Sequence, residues 1–287
     1  MQRLGTLFGS IVAPTTLVTG LLYYFGHNYA HFFFGHFGVD SSTLGLTTAD
    51  YMRRIVDPLF IPITVIALAG LAALWIHAEV RIRFAEGLTP RMIRRLLPFA
   101  AVTGLLLAAA GTVSVFAVTP LSHRLAAAPL TLAAGVLLLT YAHHLRRRLR
   151  PTPVPPAAAI AEWATVFVLL GLTLFWAVTD YAAAVAVSRA RWYAARLDTL
   201  PDAVLYSERG LNLTGPGVRE IPCTRKDAAY RFRYEGLKLI LRSGDQYLFL
   251  PKGWTRRNGT AFLLPRTPAL RLEFTHPTSR PPAPPTC

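Results

Sequence analysis

The sequence predicts a membrane α-helical bundle of about five transmembrane helices followed by a small C-terminal all-β domain. The composition is too apolar for an ordinary soluble surface, since 53% of the residues are hydrophobic and only 16% are charged. Five apolar runs each approach the roughly 20 residues that an α-helix needs to cross a bilayer. Beyond about residue 199 the apolar residues change to the alternation typical of strands.

The chain divides into a transmembrane helical part at 1–198, a β-rich part at 199–275 and a Pro-rich tail at 276–287 that we expect to be disordered or extended. The predicted spans cover about residues 7–29, 58–78, 97–118, 125–144 and 159–187. The first is too long for the apolar core of a signal peptide, so we expect it to be retained. The fourth also fits a re-entrant segment or a kinked hairpin, because it contains Pro129, and four spans is then the alternative.

Arginines in the short loops predict the orientation of the bundle. Nine arginines follow the second and fourth spans, whereas the loops on the other side carry three. Because basic residues concentrate in cytoplasmic loops, the N-terminus is expected in the cytoplasm and, with five spans, the C-terminal domain outside it. The nine are Arg81, Arg83, Arg91, Arg94, Arg95, Arg146, Arg147, Arg148 and Arg150, and the three are Arg53, Arg54 and Arg124.

The net charge of +15 is concentrated towards the C-terminus, where residues 186–287 hold 17 basic and eight acidic side chains. A basic surface can meet nucleic acid, or it can meet anionic lipid and cell-envelope polymers. Membrane residence favours the second class, so the expected partners are the lipid bilayer and anionic lipid or envelope polymer, without nucleic acid. Since arginine far outnumbers lysine, genomic base composition is an alternative source of part of the excess.

The segment between the first two spans predicts a short helix at the outer membrane interface. Thr47 and Asp50 have the spacing of a capping box, and Asp57-Pro58 is expected to end the helix. The two arginines of this helix would reach headgroup phosphates. A capped approach to the second span is the alternative.

About six short strands are predicted in the β-rich part, enough for a compact sheet or small barrel. The alternation over 237–250, with a turn at Ser243-Gly244-Asp245, predicts a hairpin. The other apolar runs lie at 204–206, 218–221, 229–232, 261–264 and 270–274. Before them, the last helix is expected to continue past its span until Pro201 stops it.

Histidines offer the one pattern that suits a metal. His27 and His31 are four residues apart on one helical face, with His36 and Asp40 following. No glutamate completes a metalloprotease motif, and histidine is at home beside the surrounding aromatic residues of a membrane interface. We therefore predict no metal site.

Carboxylates within the spans are the candidates for transport, because ionisable groups are costly in lipid. Glu79 and Glu162 lie near the inner ends of their spans and Asp180 near an outer end, so none is at the midplane. Transport of a small solute or ion is therefore the alternative function. A row of small residues suits close helix packing, namely Gly104, Ala108 and Thr112.

Catalytic motifs are missing from the sequence, with no nucleotide loop, nucleophile elbow or paired carboxylates. We predict no enzymatic activity, no catalytic or cofactor-binding residues and no cofactor. Two cysteines, Cys223 and Cys287, are too few for a disulfide framework, and a single bridge between them is possible.

Two segments carry a family resemblance: FGVDSSTLGLTTADYMRRIVDPLFIP after the first span and YRFRYEGLKLILRSGDQYLFLPKGW near the C-terminus. With them, the chain resembles the multi-spanning membrane proteins of unknown function common in actinobacteria. The resemblance implies a bacterial plasma membrane and brings no activity, cofactor or site residues. The His-rich GHNYAHFFFGH segment is a departure from that family.

The function we expect from these patterns is a non-enzymatic membrane anchor that presents an extracytoplasmic β-domain for sensing or for binding an envelope component or partner. A protein partner is not identified by the sequence.

Overall fold

The computed structural model describes residues 2–85, 90–117, 125–149, 155–225, 227–243, 245–276 and 287. Within these ranges, long helices precede a C-terminal antiparallel sheet, which confirms this part of the predicted fold class. The helices are α1 (Gln2–Gly35), α2 (Thr48–Ala85), α3 (Pro90–Phe116), α4 (Ala127–Leu149) and α5 (Pro156–Ala195). The connection at 119–124 and nearly all of the predicted disordered tail lie outside the described residues.

Within the described residues, four helices contain segments long and apolar enough to cross a membrane. These segments are Pro58–Glu79, Leu97–Phe116, Ala127–Arg147 and Pro156–Ala195, which correspond to the second to fifth predicted spans. The first predicted span lies within α1, where most side chains before residue 18 are not described, so that span stays a prediction. The last helix continues to Ala195 and a short 3₁₀ turn follows at Leu197–Thr199, as expected from the position of Pro201.

The prediction that Asp57-Pro58 ends a separate short helix is wrong, because α2 continues through Pro58 and Pro62. Pro62 has no N–H to donate to the carbonyl of Pro58, four residues earlier. The hydroxyl of Tyr181 donates to that carbonyl instead, at 2.8 Å. A side chain far along the chain thus satisfies the backbone group that the proline leaves unpaired.

The predicted capping box at the start of α2 is confirmed. The N–H of Thr47 donates to Asp50 Oδ2 at 3.0 Å, and the N–H of Asp50 donates to Thr47 Oγ1 at 3.2 Å. Two of the backbone donors near the helix start therefore have side-chain acceptors.

Helices α3 and α4 pack closely and antiparallel through small residues. A methyl group added at Gly135 would lie 2.4 Å from the backbone nitrogen of Ala108, and one added at Gly111 would lie 2.6 Å from Leu132 Cβ. The predicted row of small residues on α3 therefore does mark a close approach of α3 to α4, with Gly111 also at the contact. Thr112 of that row donates to the carbonyl of Ala108 in its own helix.

Pro129 does not kink the fourth helix. It is the third residue of α4, where a backbone N–H would have no partner within the helix. The helix then continues without interruption to Leu149, a length of about 34 Å at 1.5 Å per residue. The helix is therefore long enough to cross a bilayer, and whether it crosses stays a prediction.

Packing divides the chain into two compact units. The first contains residues 1–25 and 55–184, and the second contains residues 26–54 and 185–287. In the second unit, the end of α1, the segment that links it to α2 and the end of α5 join the sheet. Ser243 donates to Asp50 Oδ2 at 2.8 Å within this unit. The predicted domain boundary near residue 198 stays a prediction.

The sheet has six antiparallel strands in the order β5-β4-β3-β1-β6, with β2 also paired to β3. The strands are β1 (Asp202–Ser207), β2 (Arg219–Pro222), β3 (Phe232–Ser243), β4 (Gln246–Pro251), β5 (Phe262–Pro265) and β6 (Leu270–Thr275). The predicted hairpin is confirmed as the β3–β4 pair, with Ser243 opposite Gln246. The run at 229–232 forms no strand of its own and leads into β3.

One face of the sheet forms the apolar core of the second unit. Its fully buried residues are Ala203, Leu205, Tyr234, Leu237 and Phe249, and partly buried residues of β5 and β6 pack against them. The hydroxyl of Tyr234 accepts a hydrogen bond from the N–H of Leu211 at 2.6 Å, so the only polar atom of this ring has a partner.

Gly236 lies where β3 changes partners on one edge, pairing with β2 before it and β4 after it. Its φ of +79° is a left-handed conformation that favours glycine. A Cβ there would also lie 1.9 Å from the carbonyl oxygen of Gly217. This glycine lets the long strand bulge while its carbonyl accepts from Lys252 N–H at 2.7 Å.

Substitution of Gly236 by alanine is expected to destabilise the second unit by about 3 kcal/mol or more, because backbone strain and atomic overlap add. The measurement is thermal unfolding of the purified full-length protein in detergent, followed by intrinsic fluorescence. Gly210→Ala is the matched control, since a Cβ there would meet the ring of Phe232 at an ordinary 3.6 Å. Equal unfolding temperatures for the two variants would contradict this account of the bulge.

Candidate functional site

Charged side chains cross the face of the sheet opposite the core. Arg233 is only 3% exposed, and its Nη2 lies 2.7 Å from Glu235 Oε1. Arg219 of β2 approaches the other oxygen of Glu235 at 2.9 Å. One carboxylate therefore balances two guanidinium groups from neighbouring strands.

Tyr206 connects this pair to the last strand. Its ring lies 5.9 Å from the guanidinium carbon of Arg233 and 5.6 Å from that of Arg271. Its hydroxyl donates to Glu273 Oε2 at 3.1 Å, and burial raises the pKa of Tyr206 above its ordinary value. The phenol thus stays protonated and donating at neutral pH.

Lys238 is fully buried, yet its charge is balanced inside the protein. Its Nζ lies 2.9 Å from Asp202 Oδ1 and donates to the carbonyl of Leu200 at 2.6 Å. Leu200 and Asp202 lie at the junction between the 3₁₀ turn after α5 and strand β1. These contacts make the lysine a structural group that is unavailable to a ligand.

A second set of cations in the same unit lacks such partners. No ion pair joins these side chains to a carboxylate of the described residues. They lie at the end of α5 and in the loop after β4, and we call them, together with His36, the basic surface: Arg189, Arg191, Arg196 and Arg256. Three acids of the sheet, Asp202, Glu235 and Glu273, are paired with cations of the sheet itself, so they do not neutralise these side chains.

Trp192 holds two arginines of the basic surface in place. The guanidinium carbons of Arg189 and Arg196 lie 5.1 and 4.7 Å from the centroid of its ring. Spacings of three and four residues place all three side chains on one side of the helix end. The indole remains 41% exposed, so this pair of stacked cations is open to an external ligand.

His36 lies near two arginines of the basic surface, Arg191 and Arg256, which come from two other segments of the chain. Its ring packs 6.1 Å from that of Trp254. Partial burial lowers the pKa of His36 below its ordinary 6.5, and the positive charges of Arg256 and Arg191 lower it further. A histidine that is repelled by two arginines marks a site of excess positive potential.

The histidines predicted as the only metal pattern do not converge. His27 packs near Tyr51 at 6.0 Å, and His31 contacts Phe32 edge to face at 5.3 Å. In the described part of the chain, no three His, Cys, Asp or Glu side chains form a group that could hold a metal ion. The absence of a metal stays a prediction.

The three span carboxylates lie in different environments. Glu162 pairs with Arg147 at 2.8 Å and approaches His143 Nε2 at 3.5 Å, which joins α5 to α4. Asp180 lines a cleft farther along α5. Glu79 belongs to α2.

Cys223 and Cys287 form a disulfide with their Cα atoms 5.1 Å apart. The bridge, which the sequence left open, connects the C-terminal residue to the end of β2 across 64 positions of the chain. A crosslink over that separation stabilises the folded state mainly by restricting the unfolded chain.

Comparison with known proteins identifies no relative. No protein-family model matches the chain, and neither a curated protein nor a solved structure matches it. The resemblance to actinobacterial membrane proteins stays a prediction, and the function must be argued from the geometry.

The basic surface was missed as a site at the level of sequence, although part of its signal was local. The run RARWYAAR contains the tryptophan with arginines three residues before and four after it, a spacing that indicates stacking on a helix. The approach of Arg256 and His36 had no such signal, because they are 220 positions apart.

Acid is expected to weaken the second unit through His36. Its folded pKa is lowered, so the contribution of the neutral ring to stability is full above pH 6.5 and is lost as the pH falls through the lowered folded value. Arg256→Gln removes one repelling charge and should raise the pKa of His36, as measured by NMR titration of the labelled imidazole. Arg257→Gln is the control, and an equal rise in that variant would show that the effect is not specific to Arg256.

Proposed function

We propose that this chain is a non-enzymatic integral protein of a bacterial plasma membrane, whose extracytoplasmic β-rich unit binds the phosphate groups of anionic lipids through the basic surface. Five helices anchor the unit, with the N-terminus in the cytoplasm. The four apolar helices of membrane length support residence in a bilayer.

One observation carries the proposal: Arg189 and Arg196 stack on the exposed ring of Trp192 without an ion-pair partner among the described residues. A contact with the ring engages no hydrogen-bond acceptor, so the guanidinium N–H groups stay available to a phosphate. The basic surface therefore has its donors arranged before a ligand arrives, which reduces the entropy lost on binding.

Lipid is favoured over a soluble envelope polymer by the position of these residues. Arg189 follows the predicted end of the last span, residue 187, by two positions. Tryptophan is enriched at the level of lipid headgroups, and arginine there reaches phosphates. A helix that leaves the hydrocarbon at this point brings the stacked pair to the headgroup layer.

The disulfide supports the extracytoplasmic side. Such bonds persist in oxidising compartments and are rare in the cytoplasm. The bridge between Cys223 and Cys287 therefore agrees with the side that the loop arginines predict.

Short-chain phosphatidylglycerol is expected to bind the purified protein in neutral detergent more tightly than phosphatidylcholine does, with a corresponding rise in unfolding temperature. Because each arginine near an anionic surface contributes about 1 kcal/mol, the double variant Arg189→Gln, Arg196→Gln should bind about 30-fold more weakly. The measurement is a lipid titration in which the unfolding temperature is recorded at each concentration, which gives the affinity of the natural chain and of the variant.

Two controls make the lipid experiment specific. Arg225→Gln should bind normally, since Arg225 is exposed but already paired with Asp227 at 2.7 Å. The double variant Arg189→Lys, Arg196→Lys keeps the charge but loses the planar donor groups, so its affinity should lie between those of the natural chain and the glutamine variant. Equal binding of both lipids, or equal affinity for soluble polyglycerol phosphate, would reject an anionic lipid as the ligand.

Oxidation state in cells tests the predicted side of the membrane. The chain has only two cysteines, so acid-quenched cells treated with a maleimide-polyethylene glycol reagent should show no mobility shift unless a reductant is added first. Cys223→Ser should show a shift from one thiol without reduction. A double shift in the unreduced protein would argue for a cytoplasmic location of the second unit.

A further inference from the structure

The first unit contains a cleft of about 650 Å³ between α3, α4 and α5. Its walls are largely apolar, with Val115, Phe116 and Ala128 among the lining residues. Two residues of α5 differ in character, since Trp176 and Asp180 also line the cleft. A cleft of this size suits a small molecule.

Asp180 gives the cleft its chemistry. It lies in an apolar helix of membrane length, where an ionised carboxylate is unfavourable unless a positive charge or polar groups compensate it. No cation among the described residues lies within ion-pair distance of Asp180. Glu162 of the same helix shows the contrast, because Arg147 provides its counter-charge at 2.8 Å.

Trp176 adds a second means of attracting a cation. It precedes Asp180 by four residues, so the indole and the carboxylate lie on the same side of α5, and both line the cleft. An indole face attracts ammonium groups, and the attraction strengthens where water is excluded. A carboxylate and an aromatic ring together suit an organic cation with an apolar body.

We propose that the cleft between α3, α4 and α5 binds a small organic cation, with Asp180 as its counter-charge and Trp176 as its aromatic contact. The apolar walls provide the surface for the rest of the ligand. A hard metal ion is a poor fit, because it needs several oxygen ligands and the described lining offers one carboxylate and the hydroxyl of Ser114, which donates to the carbonyl of Ala110. This inference is independent of lipid binding by the basic surface.

The test measures binding of benzyltrimethylammonium to the purified full-length protein in detergent, by isothermal titration calorimetry. Asp180→Asn should weaken binding at least tenfold, and Trp176→Leu should weaken it several-fold. Glu162→Gln is the matched control, because it neutralises a carboxylate of the same helix outside the cleft, and should bind as the natural chain does. The neutral tert-butyl analogue of the probe should bind at least tenfold more weakly than the cation.

Three outcomes would overturn the proposal: equal affinity in the natural chain and in Asp180→Asn, equal affinity for the cation and its neutral analogue, or no binding of the cation at millimolar concentration. If Asp180→Asn does not elute as the natural chain does on size exclusion, Asp180→Glu provides the second test. It keeps the charge and should retain binding of the cation over the neutral analogue, and loss of that preference in a folded protein would likewise reject the proposal.

Discussion

The buried contact of Lys238 with Asp202 and Leu200 is the interaction on which the architecture of the second unit depends. It joins the middle strand of the sheet to the short segment between α5 and β1, so the sheet begins at a fixed position after the last helix. Removing one partner of such a pair leaves a buried charge uncompensated and is destabilising by about 3 to 5 kcal/mol.

Pairing inside the sheet also determines which charges remain for function. Glu235 and Glu273 are engaged by arginines of the same face, and Asp202 is engaged by Lys238. These three acids therefore do not neutralise Arg189 and Arg196 at the end of α5, which lie over the ring of Trp192 instead.

Sequence patterns predicted those features that depend on neighbours in the chain. Four apolar segments, the capping box at Thr47 and the β3–β4 hairpin all have local signals. The continuity of α2 through its prolines had no local signal, because the hydroxyl that donates to the carbonyl of Pro58 belongs to Tyr181, 123 positions later. Part of the basic surface likewise had a local signal, which is the spacing of Arg189 and Arg196 around Trp192. The approach of Arg256 to His36 exists only after folding and had none.

Only three of the 30 basic residues are lysines. Which basic residue occupies a position depends on the contacts that the folded protein offers there. The compact ammonium of Lys238 is accommodated in the interior by a carboxylate and a carbonyl. The larger guanidinium of Arg233, also buried, has Nε and Nη1 without a hydrogen-bond acceptor among the described residues and depends on the face of Tyr206. At an exposed tryptophan arginine is the better residue, because a guanidinium group can contact the ring and still donate hydrogen bonds to a ligand. Genomic composition can supply arginines, but their positions follow from what each site must donate.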